Sequence, residues 1–479
     1  MPLLLALAVI VAASAAGAPE RFDLVIRGGR VMDPETGRDG AFEVGIAGDR
    51  IARIGVGPLS AARVIDARGL AVAPGFIDLH QHSFGPEDDR LKALDGVTTA
   101  LEMEIGRPDL AAFLAERRGR ALLHFGATAS HAAARHAAWG GSLDGLATVP
   151  PSGASTNEPA SPDTLARIQE RLQRELDAGA LGIGMGLQYT PGATRHEVIE
   201  TFRLAAARGL PVFTHVRSAG RTEPGSSIES VGEVIAAAAM TGASLHIVHI
   251  NSSGLRDAPE CLALVAGARA RGLDVTTEAY PYEAGMTLVN SALFNPGWRE
   301  KLGIDYKDLQ LPDTGERLTK QRFEALHDDP TPRMVLIFAN PPDVMDMVIR
   351  HPLVMIASDG ITQHPRNAGT FSRILARYVR EQRSLTLMDA LRKMSLMAAQ
   401  RLERSSLAAR AKGRLQEGAD ADIVVFDPET IGDRATFSSP REPSVGVKYL
   451  LVAGTVVVDA GRLQEGVAPG RPLVSRPEK

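Results

Sequence analysis

The middle of the chain alternates alanine-rich stretches with short apolar runs, and few folds accommodate that alternation. "TLARIQERLQRELDAGA" precedes "LGIGMGL", "EVIETFRLAAARGL" precedes "PVFTHV", "SVGEVIAAAAMTGA" precedes "SLHIVHI", and "ECLALVAGARARGL" precedes "DVTTEAY". Helix followed by strand, repeated in succession, predicts parallel strands joined by helical crossovers. Repetition over this length favours an α/β fold of the (β/α)8 barrel type over an open sheet. The barrel is expected over residues 73–412.

The flanks have a different character. Residues 22–72 and 413–475 carry short β-runs punctuated by glycine, such as "FDLVIRGGRVMD" and "VKYLLVAGTVVVDAGRL". Two β-rich ends around a different middle predict one small β-sandwich built from both. Two stretches interrupt the barrel rhythm. Residues 140–163 are rich in Gly, Pro and Ser and read as a long loop, and residues 284–350 read as an insertion able to cover a site.

The first eighteen residues, "MPLLLALAVIVAASAAGA", are apolar and end in small residues, as a secretory signal does. A periplasmic or secreted protein is expected, with no membrane segment after leader removal; without a working leader the protein would stay in the cytoplasm. A net charge of −4 and the lack of a basic block exclude a nucleic-acid footprint and point to small-molecule partners. The single cysteine, Cys261, excludes internal disulfides and cysteine-based zinc clusters, and its helical apolar context assigns it to packing.

Chemistry collects where the apolar runs end. "PGFIDLHQH" places His80 and His82 on one face of the first strand. "GVTTALEMEIG" carries Glu102 and Glu104 at equal parity, "PVFTHVR" ends on His215, "SLHIVHIN" carries His246 and His249, and "VMIASDG" ends on Asp359. In a (β/α)8 barrel the C-terminal strand ends meet at one mouth, and this mixture of imidazole and carboxylate suits zinc or a similar divalent metal. Of the two glutamates, Glu104 is nearer the mouth and is the expected ligand, with Glu102 as a satisfied neighbour. His249 is expected at the mouth and His246, of opposite parity, in packing or at the surface. An aspartate after an apolar run needs a cation, and beside a metal-activated water it can shuttle a proton, so Asp359 is the expected general base and acid.

With these residues in place, the chain resembles the amidohydrolase superfamily. "APGFIDLHQH", "THVR", "SDG" and "GRLQEGADADIVVFDP" carry the broad likeness. "GMGLQYTPG", "DVTTEAYPYEAG" and "GTFSRILARYVRE" resemble the N-acyl-D-amino-acid deacylases, or D-aminoacylases, over about residues 22–474. The resemblance implies a barrel joined to a β-sandwich and metal-dependent hydrolysis of N-acyl-D-amino acids. It implies a tight zinc held by a cysteine after strand two and by His215 and His249. That cysteine is absent. Glu104 is the nearest carboxylate able to replace it, whereas an ungapped alignment sets Ile105 opposite the cysteine.

No lysine occurs between Lys92 and Lys301, which excludes the carbamylated-lysine bridge of another superfamily branch. The remaining arrangements are one tight zinc, with His80 and His82 hydrogen-bonding the oxyanion, or two metals bridged by Glu104, with His80 and His82 on the weaker one; no organic cofactor is implied. The resemblance also implies that Arg366 binds the free carboxylate of the substrate, assisted by Tyr282, and that Tyr189 lines the pocket. Where many family members have a lysine and a serine, Asn251 and Met286 stand, which favours neutral or apolar substrates. Hydrolysis of dipeptides or cyclic amides, and non-catalytic capture of acyl-amino acids, are the alternative functions.

Overall fold

Eight parallel strands carry the site, and in the computed structural model they follow one another around a single sheet in sequence order. They are β1 (Phe76–Asp78), β2 (Val97–Arg107), β3 (His124–Ser130), β4 (Ile183–Gly186), β5 (Val212–His215), β6 (Leu245–Ile247), β7 (Val275–Ala279) and β8 (Val354–Ile356). The structure describes residues 21–144, 146, 149–329 and 331–475, so the leader expected over 1–18 lies outside the described residues. Gly360 closes the ring by donating its N–H to the His80 carbonyl at 2.9 Å and accepting from the His82 N–H at 2.8 Å. The stitch that closes the barrel therefore also brings the two histidines against Asp359.

The crossover helices are delimited by local chemistry. Ser226 caps Ser227–Thr241 through a reciprocal box with Glu229, and Gly242 ends that helix in the left-handed conformation. Ser161 caps Pro162–Asp177, whose first residue is a proline that has no N–H to leave unpaired. The apolar sides of these helices bury Ile168, Leu172, Phe202, Val231, Val234 and Val265 in one core with the strands. Cys261 is buried in that core, and burial pushes its thiol up to about 12.

The chain ends build two further sheets. A four-stranded sheet uses Arg21–Arg27, Glu43–Ala47, Arg50–Gly55 and Ser60–Asp66. In a seven-stranded sheet, Ala71–Pro74 from the first flank pairs with Ile423–Phe426 from the second. Leu24, Ile26, Val44 and Ile51 of the first sheet pack on Val72, Ile423, Val425 and Leu451 of the second. The fold is thus a (β/α)8 barrel with a β-sandwich to which both flanks contribute.

Within 284–350, Gly285–Leu288, Met334–Ile337 and Leu309–Gln310 form an antiparallel sheet. This segment has an aromatic core of its own around Phe294, Trp298 and Phe323. The Gly/Pro/Ser-rich loop before β4 is tied to it: the Ser152 N–H donates to the Asn290 carbonyl at 3.0 Å, and Asn295 Nδ2 donates to Asn157 Oδ1 at 2.7 Å.

Candidate metal centre

Glu104, near the end of β2, faces four imidazoles at once. Its Oε2 lies 3.1 Å from His80 Nε2 and 3.2 Å from His82 Nε2, while its Oε1 lies 2.7 Å from His215 Nδ1 and 2.9 Å from His249 Nε2. The histidine nitrogens also face each other in pairs: His80 Nε2 and His82 Nε2 are 3.2 Å apart, and His215 Nδ1 and His249 Nε2 are 3.1 Å apart. Buried nitrogens converging in this way share a carboxylate oxygen and have little else to bond, which is the donor geometry a metal ion satisfies. Two groups have ligand atoms within 4.8 Å of one another: His80, His82, Glu104 and Asp359, and Glu104, His215 and His249.

The backs of the rings are held as firmly. His80 Nδ1 is 2.5 Å from Glu278 Oε1, and His82 Nδ1 is 2.7 Å from Glu102 Oε2. Glu102 also accepts from the Ile105 N–H, so it serves the centre from behind His82. His215 Nε2 meets Gln188 Oε1 at 2.6 Å, and His249 Nδ1 meets Ser253 Oγ at 3.2 Å. Backbone strain accompanies this: His249 and Asp359 have φ of 29° and 51°, values that non-glycine residues rarely adopt.

Charge is unevenly spread. Burial disfavours ionisation of Glu104, yet His80, His215 and His249 outweigh it and hold the carboxyl well below its usual range. Burial likewise opposes charge on the first imidazole pair, but Asp359, Glu104 and Glu278 hold His80, and Glu102 and Asp359 hold His82, well above the ordinary imidazole value. Across the bridge, burial and then His249 push His215 below it. Asp359 is kept ionised against burial by Arg366 and His80, with Arg366 Nη2 donating to its Oδ1 at 2.8 Å.

A cavity of about 280 Å3 opens on this centre. His82, Glu104, His215, His249 and Asp359 line its floor, and Met286, Leu288, Met334 and Ile337 of the 284–350 segment form an apolar wall. Tyr189 lines the cavity, its ring edge-on to His215 at 4.9 Å between centroids. Tyr282 does not line it, which departs from the expectation. After Tyr280 the chain turns at Pro281, so the Tyr282 ring lies under Arg373 and its hydroxyl donates to the Pro365 carbonyl at 3.5 Å; Tyr280 faces the cavity in its place. Arg366, also expected at the substrate, does not line the cavity either: it sits behind Asp359, 1% exposed and 4.7 Å over the Tyr280 ring, with Nε and Nη1 unpartnered.

Two further residues matter that the sequence reading did not select. Glu278 stands in "VTTEA" as the one acid of an otherwise apolar or hydroxylated strand, and that was the available signal. His246, expected in packing or at the surface, is fully buried with Nε2 3.2 Å from Glu278 Oε2 and Nδ1 2.8 Å from Thr276 Oγ1. His249 lines the cavity and His246 does not, but strand alternation is not the reason, because β6 ends at Ile247 and His249 lies beyond it with positive φ.

The amidohydrolase family model matches residues 63–458, and the chain belongs to that family. An N-acyl-D-glutamate deacylase of Alcaligenes xylosoxydans xylosoxydans is 33% identical over 91% of this chain and 94% of its own. The crystal structure of an N-acyl-D-glutamate deacylase from Bordetella bronchiseptica, complexed with zinc and a phosphonate mimic of the tetrahedral intermediate, has a TM-score of 0.79 at 28% identity, covering 95% of this chain and all of that one. A D-aminoacylase structure with a binuclear metal centre has a TM-score of 0.80 at 26% identity over the same shares.

Proposed function

We propose that this protein hydrolyses the amide bond of N-acyl-D-amino acids, releasing a carboxylic acid and a D-amino acid. The observation that carries the reading is Glu104 shared between two imidazole pairs, with ionised Asp359 at the edge of the same cavity. His80, His82, Glu104, His215, His249 and Asp359 are the residues that would hold metal, and zinc fits their nitrogen and oxygen donors. When bound, the metal supplies a Lewis acid for the scissile carbonyl and makes water acidic enough to attack near neutral pH.

The chain's own groups do the rest. The Asp359 carboxylate takes a proton from the attacking water and returns it to the departing amine nitrogen. Arg366 keeps Nε and Nη1 without protein partners, and the substrate's α-carboxylate is the proposed partner of one of them. The aromatic walls of Tyr189 and Tyr280 narrow the cavity around the reacting bond. Tyr282 supports this end only from outside the cavity, through the segment that carries Arg366.

Neutral or apolar groups suit the wall of Met286, Leu288, Met334 and Ile337, and among the described lining residues there is no lysine or arginine to receive a second carboxylate. Asn251 spends its amide on the Tyr280 backbone, donating to the carbonyl at 3.3 Å and accepting from the N–H at 3.4 Å. The leader over residues 1–18 supports export to the periplasm or medium, and among the described residues no helix is long and apolar enough to cross a membrane.

The test is amine release from a panel of N-acetyl-D- and N-acetyl-L-amino acids, with zinc-loaded and chelator-treated protein side by side. Metal-dependent release from the D-series, strongest for apolar side chains, is expected. Metal-bound protein that releases nothing from the panel would overturn the proposal and direct attention to dipeptides and cyclic amides.

A further inference from the structure

The two halves of the centre differ in their donors. Four groups face one position: His80 Nε2, His82 Nε2, Glu104 Oε2 and Asp359 Oδ1. Three face the other: His215 Nδ1, His249 Nε2 and Glu104 Oε1. The difference deepens one layer back. Both imidazoles of the first position are backed by buried carboxylates, Glu278 behind His80 and Glu102 behind His82. Those of the second are backed by the neutral Gln188 amide and the Ser253 hydroxyl.

A carboxylate behind a metal-binding imidazole fixes the ring proton on the far nitrogen and makes the near nitrogen a stronger donor. Cations offset part of the charge at the first position, since Arg366 pairs with Asp359 and Arg107 lies near Glu102. Glu278 is not offset in this way: among the described residues its ion-pair partners are His80 and His246 alone. His246, held by Thr276 Oγ1, stands 3.2 Å from Glu278 Oε2 as its second ion-pair neighbour, although that oxygen accepts no aligned hydrogen bond among the described residues.

From this asymmetry we infer that the position formed by His80, His82, Glu104 and Asp359 binds its metal the more tightly, and that Glu278, steadied by His246, is the positioning residue behind that preference. This is the reverse of the order the family resemblance implies, where a cysteine strengthens the His215 and His249 side. The replacement of a thiolate by the shared Glu104 removes that advantage. The first position thus offers four protein donors and the second three. The inference rests on the metal-hydrolase reading above.

The experiment loads metal-free full-length protein with one equivalent of zinc and locates it by anomalous diffraction. The ion is expected between His80 and His82; an ion between His215 and His249 overturns the order. In solution, two-site calorimetric zinc titration of Glu278→Gln should show the first binding event weakened by about 10- to 100-fold with the second unchanged. After dialysis against a mild chelator, His249→Ala should keep one equivalent and His82→Ala none. Glu278→Gln leaving both events unchanged would overturn the positioning role. Folded protein that binds no zinc at either position would overturn the hydrolase reading itself, and the order with it.

Discussion

Arg366 donates Nη2 to Asp359 Oδ1 at 2.8 Å in a pair that is almost wholly buried. The geometry leaves Arg366 Nε and Nη1 without partners, and unpaired buried donors are costly. A substrate carboxylate that reaches one of them would relieve part of that cost on binding. Arg366→Lys keeps the charge but loses the planar fork, so KM for an N-acyl-D-amino acid should rise about 10- to 100-fold with a smaller change in kcat, because a charge-assisted hydrogen bond of roughly 1.5–3 kcal/mol is lost. Steady-state kinetics decide it. A fall in kcat at constant KM would mean that Arg366 serves Asp359 and not the substrate.

Asp359→Asn isolates the proton shuttle. Asparagine tolerates the positive φ of 51° at this position and keeps an oxygen toward the centre, so folding should survive. It cannot accept a proton. With zinc in excess, kcat should fall about 10^2- to 10^4-fold while the far-ultraviolet circular dichroism spectrum and zinc content stay close to those of the parent. Retention of more than a tenth of kcat would remove Asp359 from the proposed role.

How much of this was legible in the sequence follows from the physics of each element. The barrel was readable because crossover helices and apolar strands impose long, repeated patterns. His80, His82, Glu104, His215, His249 and Asp359 were readable because parallel strands must end at one mouth. Periodicity stopped helping where regular structure stopped: His249 lies past the end of β6 at positive φ, and Pro281 turns Tyr282 away while Tyr280 stays on the cavity. Glu278 escaped notice because a lone acid in a strand is ambiguous until its partners across the barrel are known. The 284–350 sheet was obscure because its strands are short and antiparallel, with partners as far apart as Gly285 and Ile337.

Met286 tests the apolar wall. It is 9% exposed, lines the cavity and stands where many family members have a serine. Met286→Ala should lower kcat/KM for the best apolar substrate about 10- to 100-fold, the range expected for losing a few methylene-sized contacts in a hydrophobic pocket. Met286→Lys should reduce the preference for leucine-like over glutamate-like substrates by more than tenfold. Competition assays with paired substrates measure both, and an unchanged ratio would place the side-chain pocket elsewhere.

Asp95 offers a test of stability at a distance from the centre. Its carboxylate is fully buried and accepts from the Phe371 and Ser372 N–H groups and the Ser444 hydroxyl, each at 2.9 Å. Burial outweighs these bonds and pushes it up to about 6. The sign follows by linkage: the folded state holds this proton more tightly than the unfolded chain, so the contribution is fully present below the unfolded value near 3.9 and is lost as pH rises through about 6. Asp95→Asn has no such proton to lose, and the stability of this variant relative to the parent should improve by roughly 2–3 kcal/mol between pH 4 and pH 7.5. Its absolute stability at low pH should be the lower of the two, because the amide NH2 sets further donors against the Phe371 N–H, Ser372 N–H and Ser444 hydroxyl that already point at this group. Urea unfolding of both proteins across this range checks the claim, since contributions from the metal centre cancel in the difference. A difference that does not move with pH would show that Asp95 is charged throughout, held by its three donors.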